Sequence, residues 1–189
     1  MKKWQVLSSA ALLTLTLAAC GAEEEAADKS TTTNSTETKE TAQFPLTQTD
    51  ALGKDITIEK APERIISLIP SNTEILFGLG LNEQIIAVND NDNYPEDALT
   101  KEKLGGVEFN LEQIIALQPD LVLAHESSLY NFNEEAIAQL EAIGITVFVV
   151  KDAKTFEETY TTIEQIGRMT NTVQQADDMI ASIKSGIEE

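Results

Sequence analysis

Residues 65–88 read IISLIPSNTEILFGLGLNEQIIAV, and this stretch decides the fold. It opens with Ile65-Ile66-Ser67-Leu68-Ile69, a short β-branched run of the kind buried on both faces in parallel sheets. Pro70 stops it. Ser71 or Asn72 then stands where a cap is needed for a helix carrying Ile75, Leu76 and Leu79 on one side. Gly78 and Gly80 close that helix, and Ile85-Ile86-Ala87-Val88 makes a second strand. The product is a β-α-β unit. Its first strand-to-helix turn, Pro70-Ser71-Asn72-Thr73-Glu74, lies beyond the carboxyl ends of the strands, where open α/β sheets hold their ligands.

The same alternation continues downstream. Asn89 to Asn93 (NDNDN) reads as a solvated polar loop, and Tyr94-Pro95-Glu96-Asp97 starts a short helix. Gly105-Gly106 breaks the chain. Asn110 caps a helix over Leu111 to Leu117, which ends before Pro119. Leu121 to Ala124 is a third buried strand, His125 to Asn131 a loop, Glu134 to Ile143 a helix stopped by Gly144, and Thr146 to Val150 a fourth strand. Upstream, Phe44 to Leu46 and Asp55 to Ile58 pair as a hairpin about Leu52-Gly53-Lys54. The predicted fold class is therefore α/β: a parallel sheet flanked by helices on both faces, ending in a long helix.

From Phe156 to Ile187 the pattern is helical throughout, with Thr170-Asn171-Thr172 as a break and a fresh cap. The last helix meets no stop signal. It either packs on this domain or continues into a further structure; the second is the expectation, and with it an exposed apolar stripe and self-association.

Composition narrows the function. The chain has 189 residues, 42% of them apolar, enough for an α/β core. A formal charge of −19 argues against nucleic acid and anionic membrane surfaces as partners. The single cysteine, Cys20, excludes an internal disulfide framework, and the single histidine, His125, excludes a zinc site built from several histidines.

The first residues form a leader. Lys2 and Lys3 are basic, Val6 to Ala19 is apolar but short for a membrane span, and small residues precede Cys20. Residues 1–19 are thus a predicted signal peptide. A chance cysteine in an ordinary secretory signal is the alternative to a lipid-accepting one. Residues 20–43 carry no large apolar side chain before Gln43, which predicts a disordered tether. Residues 44–154 form the predicted N-terminal α/β lobe, and 155–189 the terminal helices.

Taken together, Leu17-Ala18-Ala19-Cys20, an acidic tether, APERIISLIPSNTEILFGLGL, YPED, and LGG followed by FNLEQIIALQPDLVLA resemble the solute-binding proteins of ABC importers for iron-siderophores, haem and cobalamin. The resemblance runs from about Leu46 onward. It implies a lipobox at Cys20, an anchor in the cell membrane on its extracytoplasmic face, and an ABC permease as partner. It implies two α/β lobes joined by one long helix, with the ligand between them. This sequence matches the first lobe and the start of that helix, and a truncated or split gene is the expectation. The bound ligand implied is an iron or cobalt chelate; no cofactor, metal site or catalytic residue of the chain's own is implied.

Glu74 has two readings. Ser71-x-x-Glu74 is the spacing of a capping box, in which the glutamate folds back on the helix start. The resemblance instead implies a docking contact with permease arginines, for which carboxylate geometry is specific. Ligand-binding candidates lie in the strand-to-helix turns: Pro70, Ser71, Asn72, Asn91 to Tyr94, Gly106 to Phe109, His125 with Glu126, and Lys151 with Asp152. Tyr94 and Phe109 can stack on a large ligand; equally, Phe109 can staple the helix that follows it and Tyr94 can anchor its loop. His125 ends a strand at the sheet's carboxyl edge; it touches the ligand, or a metal centre within it, or is an ordinary polar loop residue. Arg64 and Arg168 lie outside these turns, which favours a neutral or cationic chelate. Two other functions compete: a docking or scaffold lobe without ligand transport, and a surface α/β hydrolase, against which stands the lack of any nucleophile–base motif.

Overall fold

The computed structural model describes residues 42–188, all within the unit Thr38–Glu189. The predicted signal peptide, Cys20 and the tether up to residue 41 lie outside the described residues.

The chain enters through an antiparallel hairpin of β1 (Leu46–Thr49) and β2 (Asp55–Ile58). Its turn is set by Gly53 at φ +76° and by Asp50, whose carboxylate accepts the amides of Leu52 and Lys54 at 2.9 Å each. The first strand starts at Leu46, after Pro45.

Five parallel strands follow: β3 (Ile65–Ser67), β4 (Ile85–Val88), β5 (Glu102–Lys103), β6 (Leu121–His125) and β7 (Thr146–Val150). Their spatial order is β5-β4-β3-β6-β7. β5 has no apolar pattern to announce it; Glu102 and Lys103 pair with Ala87 and Val88 at the sheet's edge. The helices are α1 (Pro70–Gly78), α2 (Leu111–Leu117), α3 (Glu134–Ala142), α4 (Phe156–Met169) and α5 (Val173–Glu188).

Two cores cover the two faces of the sheet. On one, Ile65, Leu121 and Phe148 pack with Leu76 of α1, Ile163 of α4, Ile180 of α5 and Ile56 and Ile58 of the hairpin. On the other, Ile66, Val122 and Val147 pack with Ile114 of α2 and Ile137 and Leu140 of α3. Strands buried on both sides explain why their sequences are apolar runs and not alternations.

Three expectations need correction. α1 begins at Pro70, with Ile69 as its N-cap and no side-chain cap. Proline at the first helical position supplies its fixed φ, so neither Ser71 nor Asn72 caps. The NDNDN loop is not simply solvated: Asn89 and Asp92 are buried. Finally, the apolar stripe of α5, expected to be exposed, is largely covered by this domain. Ala176 and Ile180 are buried, Met179 and Ile183 lie against the core, and of its stripe Ile187 is exposed. α4 and α5 approach closely, since a Cβ on Gly167 would stand 2.6 Å from the Cβ of Ala176.

Candidate functional site

The strand order places the site. From β3 the chain steps outward to β4 and β5, then crosses back to β6 and β7 on the other side. The direction reverses between β3 and β6, and the turns leaving those two strands diverge there, opening a crevice at the carboxyl edge. A crevice of about 340 Å³ occupies that position. Its lining includes Ile69, Ser71 and Asn72 from the β3–α1 turn, His125 and Ser127 from the β6 exit, and Lys151 and Asp152 after β7. Thr159 and Thr162 of α4 complete the wall.

Of the predicted ligand residues, Ser71, Asn72 and His125 come together here, with Pro70 at the start of α1 beside them. Asn72 is buried; its amide donates to the Ala124 carbonyl at 3.1 Å and so ties α1 to β6, while its Oδ1 has no partner among the described residues. Tyr94 and Phe109 belong to the other side of the switch point. Tyr94 is 67% exposed. Phe109 is half-buried and meets Phe132 edge-on at 5.9 Å, packed against the second core. Ser127, Thr159 and Thr162 were not legible as lining residues. The hydroxyl two positions after a strand-ending histidine was their only local signal.

His125 closes β6 and is 7% exposed. Its Nδ1 accepts the Ser127 amide at 3.1 Å and lies 2.8 Å from the Ser127 hydroxyl. Residues Glu126–Ser128 form a short 3-10 helix that this ring caps, where the sequence suggested loop. Burial pushes the imidazole below its usual range, and Lys154 adds to this; Asp152 and Glu126 oppose it. Glu126 braces the crevice, its carboxylate accepting the Asp152 amide at 2.6 Å.

The lysines of the rim turns are engaged. Lys151 pairs with Glu158 at 3.1 Å, and Lys154 with Asp152. The hydrogen bond from Lys154 holds the Asp152 carboxyl below the usual carboxylate range. Lys103 donates to the carbonyls of Asp92 at 2.8 Å, Ala98 at 3.1 Å and Asn89 at 3.4 Å. Arg64 donates to the carbonyls of Leu117 and Gln118 at the end of α2, far from the rim. An anionic ligand therefore meets little uncompensated positive charge on this lobe.

Glu74 is exposed on the first turns of α1. With Ile69 at the cap, the capping-box reading has no structural basis. Beneath Glu74, Thr73 is fully buried and its hydroxyl contacts Ser67 at 2.7 Å and Asp92 at 3.0 Å. Glu74 thus stands on a rigid support.

Comparison with known proteins bears on this geometry. A model of the periplasmic binding protein family matches residues 65–189. The chain belongs to that family. It is 42% identical over 186 residues to the ABC transporter substrate-binding lipoprotein YvrC of Bacillus subtilis, covering 98% of this chain and 56% of the relative. It is 36% identical over 127 residues to the vitamin B12-binding protein of Vibrio campbellii, covering 67% of this chain and 45% of the relative. Among solved structures, one described as a possible iron-binding, periplasmic solute-binding protein from Staphylococcus epidermidis superposes with a TM-score of 0.65 at 39% identity, over 68% of this chain and 50% of that one. A periplasmic heme-binding protein of Pseudomonas aeruginosa shares the fold, with a TM-score of 0.61 at 20% identity, over 66% of this chain and 44% of that one. The chain spans about half the length of these relatives. They are binding proteins and not enzymes, which sets the hydrolase reading aside.

Proposed function

We propose that this chain is the ligand-capturing lobe of an extracytoplasmic substrate-binding component of an ABC importer. It is held to the cell membrane by lipid on Cys20, and its cargo is a metal chelate of the cobalamin type. The observation that carries this reading is the open crevice at the β3/β6 switch point. It presents Ser71, His125 and Ser127 beside lysines that are already paired. Such a lining suits a ligand with uncharged polar groups better than one with carboxylates or phenolates. The vitamin B12-binding relative is consistent with that choice.

In this reading Pro70, Ser71, Asn72 and His125 form the floor, and Tyr94 stacks at the edge. Phe109 offers only the part of its ring not facing Phe132. Glu74 is the docking carboxylate for permease arginines, and α5 begins the connection to a second lobe that closes the cleft. Isothermal titration with cyanocobalamin, haemin and a ferric catecholate tests the proposal. Cyanocobalamin binding in preference to the two anionic chelates is expected. Preference for either anionic chelate would contradict it, and no binding at all would favour a scaffold lobe that docks without cargo.

A further inference from the structure

Of the polar groups lining the crevice, His125 has the most restricted chemistry. A backbone amide can only donate, so the Nδ1 that accepts the Ser127 amide at 3.1 Å carries no proton. The Ser127 hydroxyl, 2.8 Å from the same nitrogen, is then a second donor to it. In the neutral ring the proton must therefore sit on Nε2. Nε2 makes no hydrogen bond to the described residues and is not among their buried unpartnered atoms, while the residue lines the crevice. The ring thus has one unused capacity, a donor, and the crevice is where it can be used.

We propose that His125 is a specificity-determining residue: locked by Ser127 as the Nε2–H tautomer, it donates one hydrogen bond to an uncharged oxygen of the bound molecule, such as a carboxamide carbonyl, and is withheld from metal coordination. A metal at Nε2 requires the proton on Nδ1, facing the Ser127 amide, and a metal at Nδ1 displaces Ser127 altogether. Both break the turn Glu126–Ser128 that His125 caps. The groups facing the ring favour an uncharged acceptor. Asp152 and Glu126 are carboxylates, Lys154 is paired with Asp152 and Lys151 with Glu158, and α1 contributes Ser71 and Asn72. This role rests on reading the crevice as a ligand site, whereas the tautomer lock does not.

The test uses the fact that the chain has one histidine. In the 15N-labelled protein at neutral pH, nitrogen shifts are expected to show bare Nδ1 and protonated Nε2, unchanged on addition of Zn²⁺. An Nδ1–H ring, an even mixture of tautomers, or a zinc-induced shift at His125 would overturn the lock. Cyanocobalamin, which carries peripheral carboxamides, is then titrated into wild type, His125→Gln and His125→Ala. Glutamine keeps an N–H donor and should stay within about threefold of wild type, while alanine should weaken binding by about three- to tenfold. Equal affinities in all three, or a glutamine variant as weak as alanine, would overturn the donor role. Absence of binding to wild type, with the tautomer as expected, would overturn the ligand reading of the crevice and the donor role with it, leaving the lock intact.

Discussion

The two sides of the switch point use similar polar residues to opposite ends. On the β4/β5 side, Asn89, Asp92, Thr73 and Lys103 form a closed knot. The Asp92 carboxylate accepts the Asn89 amide at 2.8 Å and the Thr73 hydroxyl at 3.0 Å, the Asn89 side-chain amide donates to the Leu68 carbonyl at 3.1 Å, and Lys103 gathers three backbone carbonyls. On the β6/β7 side, Ser127 braces His125 and Glu126 braces Asp152, yet these turns leave donors and acceptors facing an open crevice. Polar residues at the carboxyl edge of a parallel sheet are thus not all site residues. What separates the two sides is whether polar groups stay accessible once the fold has formed: Asp92 Oδ1 has no partner among the described residues but is buried, whereas Ser71 and Ser127 line the crevice.

The comparison breaks most sharply with backbone changes. Gly105 leaves β5 at φ +99°, and a Cβ there would lie 2.0 Å from the Glu108 carbonyl oxygen. Gly105→Ala is expected to destabilise by roughly 3 kcal/mol or more in urea unfolding. A loss under 1 kcal/mol would mean that the knot is pliable.

Next comes the knot's carboxylate. Asp92→Ala leaves the buried Asn89 amide without its acceptor, while the Thr73 hydroxyl keeps Ser67 and the Ile69 carbonyl, and should cost about 1–3 kcal/mol, whereas Ser127→Ala in the crevice should cost less than about 1 kcal/mol. Equal losses would erase the distinction between the two sides.

The pH dependences should have opposite signs. Burial raises Asp92, so its folded state binds a proton more readily than the unfolded chain, whose value is near 3.8. Its contribution is present below that value and is lost as pH rises through the folded value. His125 is lowered, so its contribution is present above 6.5 and is lost as pH falls from there toward the folded value. Asp92→Asn should therefore gain on wild type as pH climbs out of the acid range, and His125→Asn should flatten the stability slope just below pH 6.5. Urea midpoints across pH 3–8 read both, and slopes of the same sign would contradict the assignment.

The smallest effect belongs to Glu74. Exposed and without a capping role, Glu74→Gln should change stability by less than about 0.5 kcal/mol, leaving any loss of permease binding attributable to docking.

Much of this molecule was readable from its residues. Ile85–Val88 and Thr146–Val150 are strands with the bounds that their β-branched runs implied. Asn110 caps α2 through the Gln113 amide at 3.1 Å, and Gly144 stops α3 at φ +88°. These are local effects, and local sequence carries them. The buried state of Asp92 was not readable, because its partners Thr73 and Lys103 lie 19 and 11 residues away in sequence. β5 was missed because a two-residue edge strand takes its conformation from β4 and not from its own propensity. The apolar stripe of α5 was legible, but the surface that covers it belongs to α1 and α4. At the crevice, the turns holding Ser71 and His125 were placed by the alternation of strands and helices. The pairing of His125 with Ser127, which fixes its proton, needed coordinates.

On the β6/β7 side of the rim polar groups stay open to ligand, whereas on the β4/β5 side Asn89, Asp92 and Thr73 are buried in the knot. Amide chemical-shift mapping with cyanocobalamin tests this most directly. Shifts centred on Ser71, Asn72, Ser127, Asp152 and Thr159, with Asn89, Asp92 and Lys103 unmoved, are the expected result. Shifts centred on the Asn89–Lys103 knot, with the β6/β7 side silent, would contradict it.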